Sequence, residues 1–196
     1  MLFDRDGTLV VDVPYNGDPT RVEPMPDAAA ALALLRARGI PVGVVTNQAG
    51  IARGLLTEDA VREVNARVEE LLGPFAVWQV CPHGPSEGCR CRKPEPGMVL
   101  DAAAALGVPA ARVALIGDIG ADVAAAQAAG GTGVLVPTPA TRVEEVRAAP
   151  VVCRDLLGAV HHLLGHHLLG HHLLGHHLLH ADAADSRRVT AGEGAA

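Results

Sequence analysis

Two aspartates stand one residue apart in Phe3-Asp4-Arg5-Asp6-Gly7-Thr8, directly after the apolar pair Leu2-Phe3. Two like charges at the mouth of a hydrophobic strand repel each other unless something positive binds there. Residues two apart on extended chain face the same side. One carboxylate could therefore attack as a nucleophile while the other gives and takes a proton. Further acidic residues occur in Gly117-Asp118-Ile119-Gly120-Ala121-Asp122, where Asp122 follows Asp118 by one helical turn. Brought together, such carboxylates would suit a hard divalent cation, and Mg²⁺ fits an all-oxygen set. A carboxylate nucleophile beside Mg²⁺ suits phosphoryl transfer, in which the protein mainly positions groups and neutralises charge. Thr46 and Asn47 offer neutral donors to phosphoryl oxygens, and Arg92-Lys93 offer positive charge.

A second set has different chemistry. Cys81-x-His83 and Cys89-x-Cys91 place three thiols and an imidazole within eleven residues. Three thiolates and one imidazole make a closed tetrahedral zinc set with no position left for water, so the Zn²⁺ would be structural. The clamped loop leads straight into Arg92-Lys93 and would fix those cations over the site.

Short aliphatic runs alternate with Ala/Leu-rich stretches. The expected strands are Met1–Phe3, Val42–Val45, Ala76–Val80, Val113–Ile116, Gly133–Val136 and Val151–Cys153. Helices are expected over Ala28–Arg38 with Asp27 as cap, Glu58–Leu72 with Thr57 as cap, Gly97–Leu106, and Ala121–Ala129. The pattern predicts an α/β fold, a Rossmann-like three-layer sandwich on a parallel sheet. Ligands of open parallel sheets bind at the carboxyl ends of strands. Asp4, Thr46 and Asp118 all fall at such ends. The first strand is short against the usual five or six residues. The native start is therefore expected upstream of Met1, which mass spectrometry of the native N-terminus would test.

The chain has 196 residues, enough for one domain with a core, and its 49% hydrophobic content excludes a wholly disordered protein. With aromatics at only 2%, that core must be built from Ala, Val and Leu. A net charge of −6 argues against nucleic acid as a partner. No apolar run approaches the roughly 20 residues that span a bilayer, and no secretory leader is visible, so a cytoplasmic location is expected. The clustered cysteines then favour metal over disulfides.

From Val160 the unit His-His-Leu-Leu-Gly repeats, and nine of the ten histidines lie between His161 and His180. Five residues advance about 140° on a helix, so the Leu pairs never line one face. The expected organisation is a domain over 1–158 and a low-complexity repeat with a polar tail over 159–196, disordered or loosely helical. The repeat could be a nickel or zinc reservoir; tandem duplication tolerated beyond the domain is the simpler account. Cys153 reads as a small buried hydrophobe.

Singly, each motif has a plainer reading. Asp4–Gly7 could be an acidic turn, Thr46-Asn47-Gln48 another turn, and Arg90-Arg92-Lys93 a solvated run. A calcium loop fails, because its glycine position falls on Leu9 and its bidentate glutamate position on Tyr15. Order, spacing and placement together give the set its weight. Together they resemble the haloacid dehalogenase superfamily of phosphohydrolases: "DRDGT" its first motif, "VVTN" its second, "RKP" the lysine of its third and "GDIGAD" its fourth.

The resemblance covers about residues 1–155. It implies that Asp4 is the nucleophile that becomes an aspartyl-phosphate, and that Asp6 is the general acid and base. Mg²⁺ would take Asp4, the backbone carbonyl of Asp6, and Asp118, with Asp122 behind them. Thr46 and Lys93 would hold the phosphoryl group. The zinc loop followed by "CRKP" resembles the subfamily of heptose-bisphosphate and histidinol-phosphate phosphatases, and the short segments between this chain's motifs leave no room for an inserted cap domain. "NQAGIARG" and "VDVPY" are similar to the second-motif extension and substrate loop of the heptose enzymes. Asp12, Tyr15, Asn47, Arg53 and Arg92 are then expected to bind substrate. Family members often carry a basic residue where this chain has Ile119.

The resemblance implies a monomeric, Mg²⁺-dependent phosphatase of a small phosphorylated sugar, with no membrane or nucleic-acid partner. The alternatives are a histidinol-phosphate phosphatase and a non-catalytic metal-binding protein that uses the His-rich tail.

Overall fold

The protein is described from a computed structural model over residues 1–165; the repeat from position 166 and the polar tail lie outside the described residues. Five strands form one sheet: β1 (Leu2–Phe3), β2 (Gly43–Asn47), β3 (Val77–Cys81), β4 (Ala114–Gly117) and β5 (Thr132–Leu135). All pairings are parallel and the spatial order is β3-β2-β1-β4-β5. The chain winds outward from β1 to β3, then crosses back to β4 and β5. β1 is thus central, and the direction of winding reverses beside it. Such a reversal opens a crevice at the carboxyl ends of the strands.

The crossovers are α1 (Ala28–Arg36), α2 (Glu58–Leu72), α3 (Gly97–Ala105) and α4 (Gly120–Ala128), followed by α5 (Val143–Ala148). Right-handed crossovers put α1 and α2 on one face and α3 and α4 on the other, the three-layer arrangement expected. Among the described residues no cap domain is inserted. One face is packed by Leu2, Val45 and Leu115 against Met98, Val99 and Ala102 of α3 and Ala125 and Ala126 of α4. On the other, α2 turns Val61, Val64, Val68 and Leu72 inward, a spacing of three and four residues.

Thr57 caps α2 by accepting the Ala60 N–H at 3.1 Å. Asp27 precedes α1 but makes no side-chain cap bond. At φ 64° it is left-handed, whereas capping through the side chain needs an extended residue. α1 also stops at Arg36, two residues short of the expected end. Val151–Cys153 is not a sixth strand. It touches the sheet through a single bridge, Val152 to Leu135, before Arg154-Asp155 turn the chain away. α5, six residues with no buried side chain, has no apolar period for sequence reasoning to detect.

The chain divides into two units, Met1–Val160 and His161–Ala196. Residues 156–160 are helical and close the first. Of the second, residues 161–165 are described and are helical.

Candidate active site

The carboxyl ends of β1, β2 and β4 deliver the expected residues to one place. Asp4 follows β1 directly, and its N–H donates to the Ile116 carbonyl of β4 at 2.9 Å. Asp118 follows β4, and Asp122 lies in the first turn of α4. Carboxylate oxygens of Asp4, Asp118 and Asp122 lie within 4.8 Å of one another, and all three residues are buried. The loop after β1 can approach so closely because residue 7 is glycine. Its φ is +74°, and a Cβ there would stand 2.4 Å from Asp118 Oδ2.

Lys93 enters from the loop before α3. Its ammonium meets Asp122 Oδ1 at 2.6 Å, Asp4 Oδ1 at 2.8 Å and the Val45 carbonyl of β2 at 2.9 Å. The Arg5 N–H also reaches Asp4 Oδ1, at 2.7 Å. Two of the three carboxylates pair with one ammonium; with all three ionised the cluster carries two unbalanced negative charges, the deficit a divalent cation cancels. The proton equilibria record the same strain. Burial pushes Asp4 up to about 8 against the pull of Lys93, with repulsion from Asp122 and Asp6 adding to the rise. Burial and Asp122 push Asp118 up to about 7. Burial works to lower Lys93, but Asp122 and Asp4 outweigh it and hold the ammonium firmly charged. The donors are all hard oxygens, so the residues fit Mg²⁺.

Asp6 is not in this group. Its carboxylate turns to Arg5 and to Gln48, whose amide nitrogen donates at 2.8 Å. The same nitrogen lies 2.9 Å from Thr46 Oγ1. Asn47 departs from expectation. Its Nδ2 donates to the Lys93 carbonyl and its Oδ1 accepts the Lys93 N–H, both at 3.1 Å. With both ends of its amide on that main chain, Asn47 holds the lysine loop instead of offering a free donor to a substrate.

The rim comes from two loops. Arg53 stacks its guanidinium 5.7 Å from the Tyr15 ring centre and bonds the phenol oxygen, and both side chains are exposed. Asp12 is exposed, and partial burial and the charge of Asp6 raise its pKa. Beside Lys93 lies an open cleft of about 600 Å³, lined by Arg90, Arg92, Glu95 and the loop from Gly84 to Cys89. Arg90 is tied to Asp101 at 2.8 Å. Arg92 donates to the His83 carbonyl at 3.2 Å.

That loop carries the sulfur set. Cys81 Sγ lies 3.7 Å from Cys89 Sγ and 3.2 Å from Cys91 Sγ, and Cys89 and Cys91 are 3.5 Å apart. His83 Nδ1 stands 3.6 Å from Cys81 and 3.2 Å from Cys91. A tetrahedron of zinc–sulfur bonds near 2.3 Å has edges of about 3.8 Å, so the four groups fit a zinc ion. Burial pushes the Cys81 thiol up to about 12. Burial also acts to raise Cys89, but the Arg92 N–H and the neighbouring thiols bring it down to about 7. All four cysteines of the chain are unbridged.

Sequence reasoning passed over three residues at the site. Arg5 is 1% exposed, Gln48 6%, and Asn65 of α2 bonds Arg5 at 2.6 Å. One signal was available: Asn65 interrupts the apolar stripe of α2 between Val64 and Val68.

Comparison with known proteins gives a consistent picture. The family model for "Haloacid dehalogenase-like hydrolase" matches residues 1–73, and one for "HAD-hydrolase-like" proteins matches residues 90–159. The D-glycero-β-D-manno-heptose-1,7-bisphosphate 7-phosphatase of Pseudomonas aeruginosa is 37% identical over 143 residues, 70% of this chain and 80% of that protein. The enzyme of the same name from Vibrio cholerae is 34% identical over 176 residues, 84% of this chain and 95% of the other. Among solved structures, D,D-heptose 1,7-bisphosphate phosphatase from B. bronchiseptica, complexed with magnesium and phosphate, superposes with a TM-score of 0.77. It is 33% identical, and the match covers 85% of this chain and 98% of that one.

Proposed function

This chain belongs to the haloacid dehalogenase-like hydrolases, and from that premise we propose that it is a Mg²⁺-dependent phosphatase acting on D-glycero-D-manno-heptose 1,7-bisphosphate at the 7-phosphate. The observation that carries the reading is the buried cluster of Asp4, Asp118 and Asp122 around Lys93, with two negative charges left for a divalent cation. Relatives and a solved neighbour named for this substrate support the choice of sugar.

Asp4, Asp118 and the backbone carbonyl of Asp6 would hold Mg²⁺, and Asp122 borders the same pocket. The ion would supply charge neutralisation between carboxylate and phosphoryl oxygens. Lys93 and the Arg5 N–H both engage Asp4 Oδ1, which leaves Oδ2 to attack phosphorus. The P–O bond to the sugar breaks as the aspartyl-phosphate forms, and Asp6 gives its proton to the departing oxygen. Asp6 then takes a proton from water as the water oxygen attacks phosphorus. Inorganic phosphate leaves and Asp4 is restored. Thr46, at the carboxyl end of β2, would donate its hydroxyl to phosphoryl oxygen, and Lys93 would offset negative charge as it develops.

The sugar's second phosphate has a cation in reach, Arg92 on the cleft beside Lys93, with Asp12, Tyr15 and Arg53 on the rim for hydroxyls. The sulfur set would hold Zn²⁺ as a brace for the Arg92-Lys93 segment.

The test is phosphate release from both anomers of the heptose bisphosphate and from histidinol phosphate, with Mg²⁺ and with Asp4→Asn as control. The expected result is strong preference for a heptose bisphosphate and loss of turnover in Asp4→Asn. Preference for histidinol phosphate overturns the substrate. Turnover surviving in Asp4→Asn overturns the mechanism.

A further inference from the structure

The general acid of this site is held by a device that its proposed role does not by itself require. Arg5 stands between the two aspartates and its side chain is 1% exposed. Its Nε donates to Asp6 Oδ1 at 3.1 Å and lies 3.2 Å from Oδ2, and its Nη2 donates to Oδ2 at 3.0 Å. The remaining arm, Nη1, donates to Asn65 Oδ1 at 2.6 Å. Gln48 completes the set with its bond to Asp6 Oδ2 at 2.8 Å, while touching Thr46 through the same nitrogen.

Resting on the reading of Asp6 as acid and base, we propose that Arg5 is a positioning residue for Asp6, itself anchored by Asn65 on α2. A planar guanidinium that meets both oxygens of a carboxylate fixes the plane of that carboxylate as well as its distance. A single ammonium or hydroxyl does not. Replacing a buried ion pair with apolar side chains of similar volume is often neutral or stabilising, so fold stability does not account for an arginine here. What the arginine adds is direction. Asp6 keeps a quarter of its side chain exposed (25%), and that face is left for the leaving oxygen and later for water. The anchor explains the polar residue on the inward side of α2. Asn65 sits between Val64 and Val68, both of them buried. There it extends the clamp from the carboxyl end of the central strand to a fifteen-residue helix.

A clamp that aims the acid has a signature a merely structural contact lacks. Proton donation matters for a sugar alkoxide, a poor leaving group, and hardly at all for p-nitrophenolate, which departs without a proton. The ratio kcat/KM reports steps only through departure of the leaving group, so the later hydrolysis, common to both esters, does not enter. The experiment measures kcat/KM with heptose 1,7-bisphosphate and with p-nitrophenyl phosphate for wild type, Asn65→Leu, Arg5→Lys, Asn65→Asp and Asp6→Asn. Asn65→Leu leaves both charges in place and so guards against a variant that fails to fold.

The expected result is that Asn65→Leu and Arg5→Lys lose about tenfold to a hundredfold on the sugar ester, part of the full contribution of a positioned acid. On the aryl ester they should lose less than about threefold. Asn65→Asp keeps an acceptor for Nη1 and should restore the wild-type ratio. Equal losses on both esters, or none, in a folded Asn65→Leu protein would overturn the clamp. If Asp6→Asn itself leaves the ratio between esters unchanged, Asp6 is not the acid. The reading of the site then fails along with the proposal built on it.

Discussion

Gly7 shows how narrowly the site is drawn at the scale of one residue. Its positive φ and the 2.4 Å approach to Asp118 both exclude a side chain. Gly7→Ala should cost about 1–2 kcal/mol in stability from the left-handed backbone alone. It should also displace Asp118 and weaken Mg²⁺ binding by at least about tenfold, readable by calorimetry on the purified variant. The raised acids add a pH dependence. Asp4 at about 8 and Asp118 at about 7 bind protons that the unfolded chain has already released. The folded state therefore binds more protons than the unfolded one from roughly pH 4 to 8, and stability without Mg²⁺ should fall as pH rises through that window. Mg²⁺ must displace those protons, so its affinity should rise with pH over the same range. Thermal melts at pH 5.5 and 8.0, with and without excess Mg²⁺, check both signs. A metal-induced gain that is no larger at pH 8.0 would contradict this electrostatic account.

At the scale of elements, the two ends of the Cys81–Lys93 loop are fastened differently. One end is Cys81, the last residue of β3, and the other is Lys93, gripped by Asn47 from β2. The four sulfur and imidazole ligands would close the span between them. Cys89→Ser should lower the melting temperature and reduce activity by well over tenfold, with zinc content falling in step by elemental analysis. A fully active, zinc-free variant would refute the bracing role. α2 supplies a contrasting case. Its Thr57 cap bonds the Ala60 N–H within the helix, so Thr57→Ala should cost about 1 kcal/mol of stability and leave kcat/KM unchanged.

At the scale of the molecule, every residue assigned to the chemistry lies within Met1–Val160, the first of the two units. We propose that this unit alone is the catalytic domain and that the His-rich segment takes no part in turnover. Truncation after Gly165 should leave kcat and KM unaltered while abolishing retention on immobilised nickel; lost turnover would give the tail a catalytic role. Among the described residues no helix is long and apolar enough to cross a membrane.

Much of this was legible in the residues themselves. Motif types and their order pointed to Asp4, Thr46 and Asp118 because each follows a short aliphatic run, and strand ends are where parallel sheets gather ligands; Lys93 was found as positive charge beside Pro94 at the start of a helical stretch. The cysteine and histidine spacing named zinc for the same local reason. The Thr57 cap and the expected end at Leu72 bounded α2 correctly, since a capped helix with a regular apolar stripe is a nearly local object. What the sequence left open depended on distance in space between residues far apart in the chain. Asn47 looked like a ligand donor until the fold set it against the Lys93 main chain, 46 residues away. Asp122 was expected behind the metal ligands, but its grip on the same ammonium as Asp4 came only with the packing of α4. The Arg5–Asn65 contact spans 60 residues, and the break in the α2 stripe at Asn65 does not say which residue it meets. Residue type and short-range spacing decide which chemistry a chain is equipped for. Only the packing of helices on the sheet decides which polar groups reach the substrate and which are taken up in holding the others still.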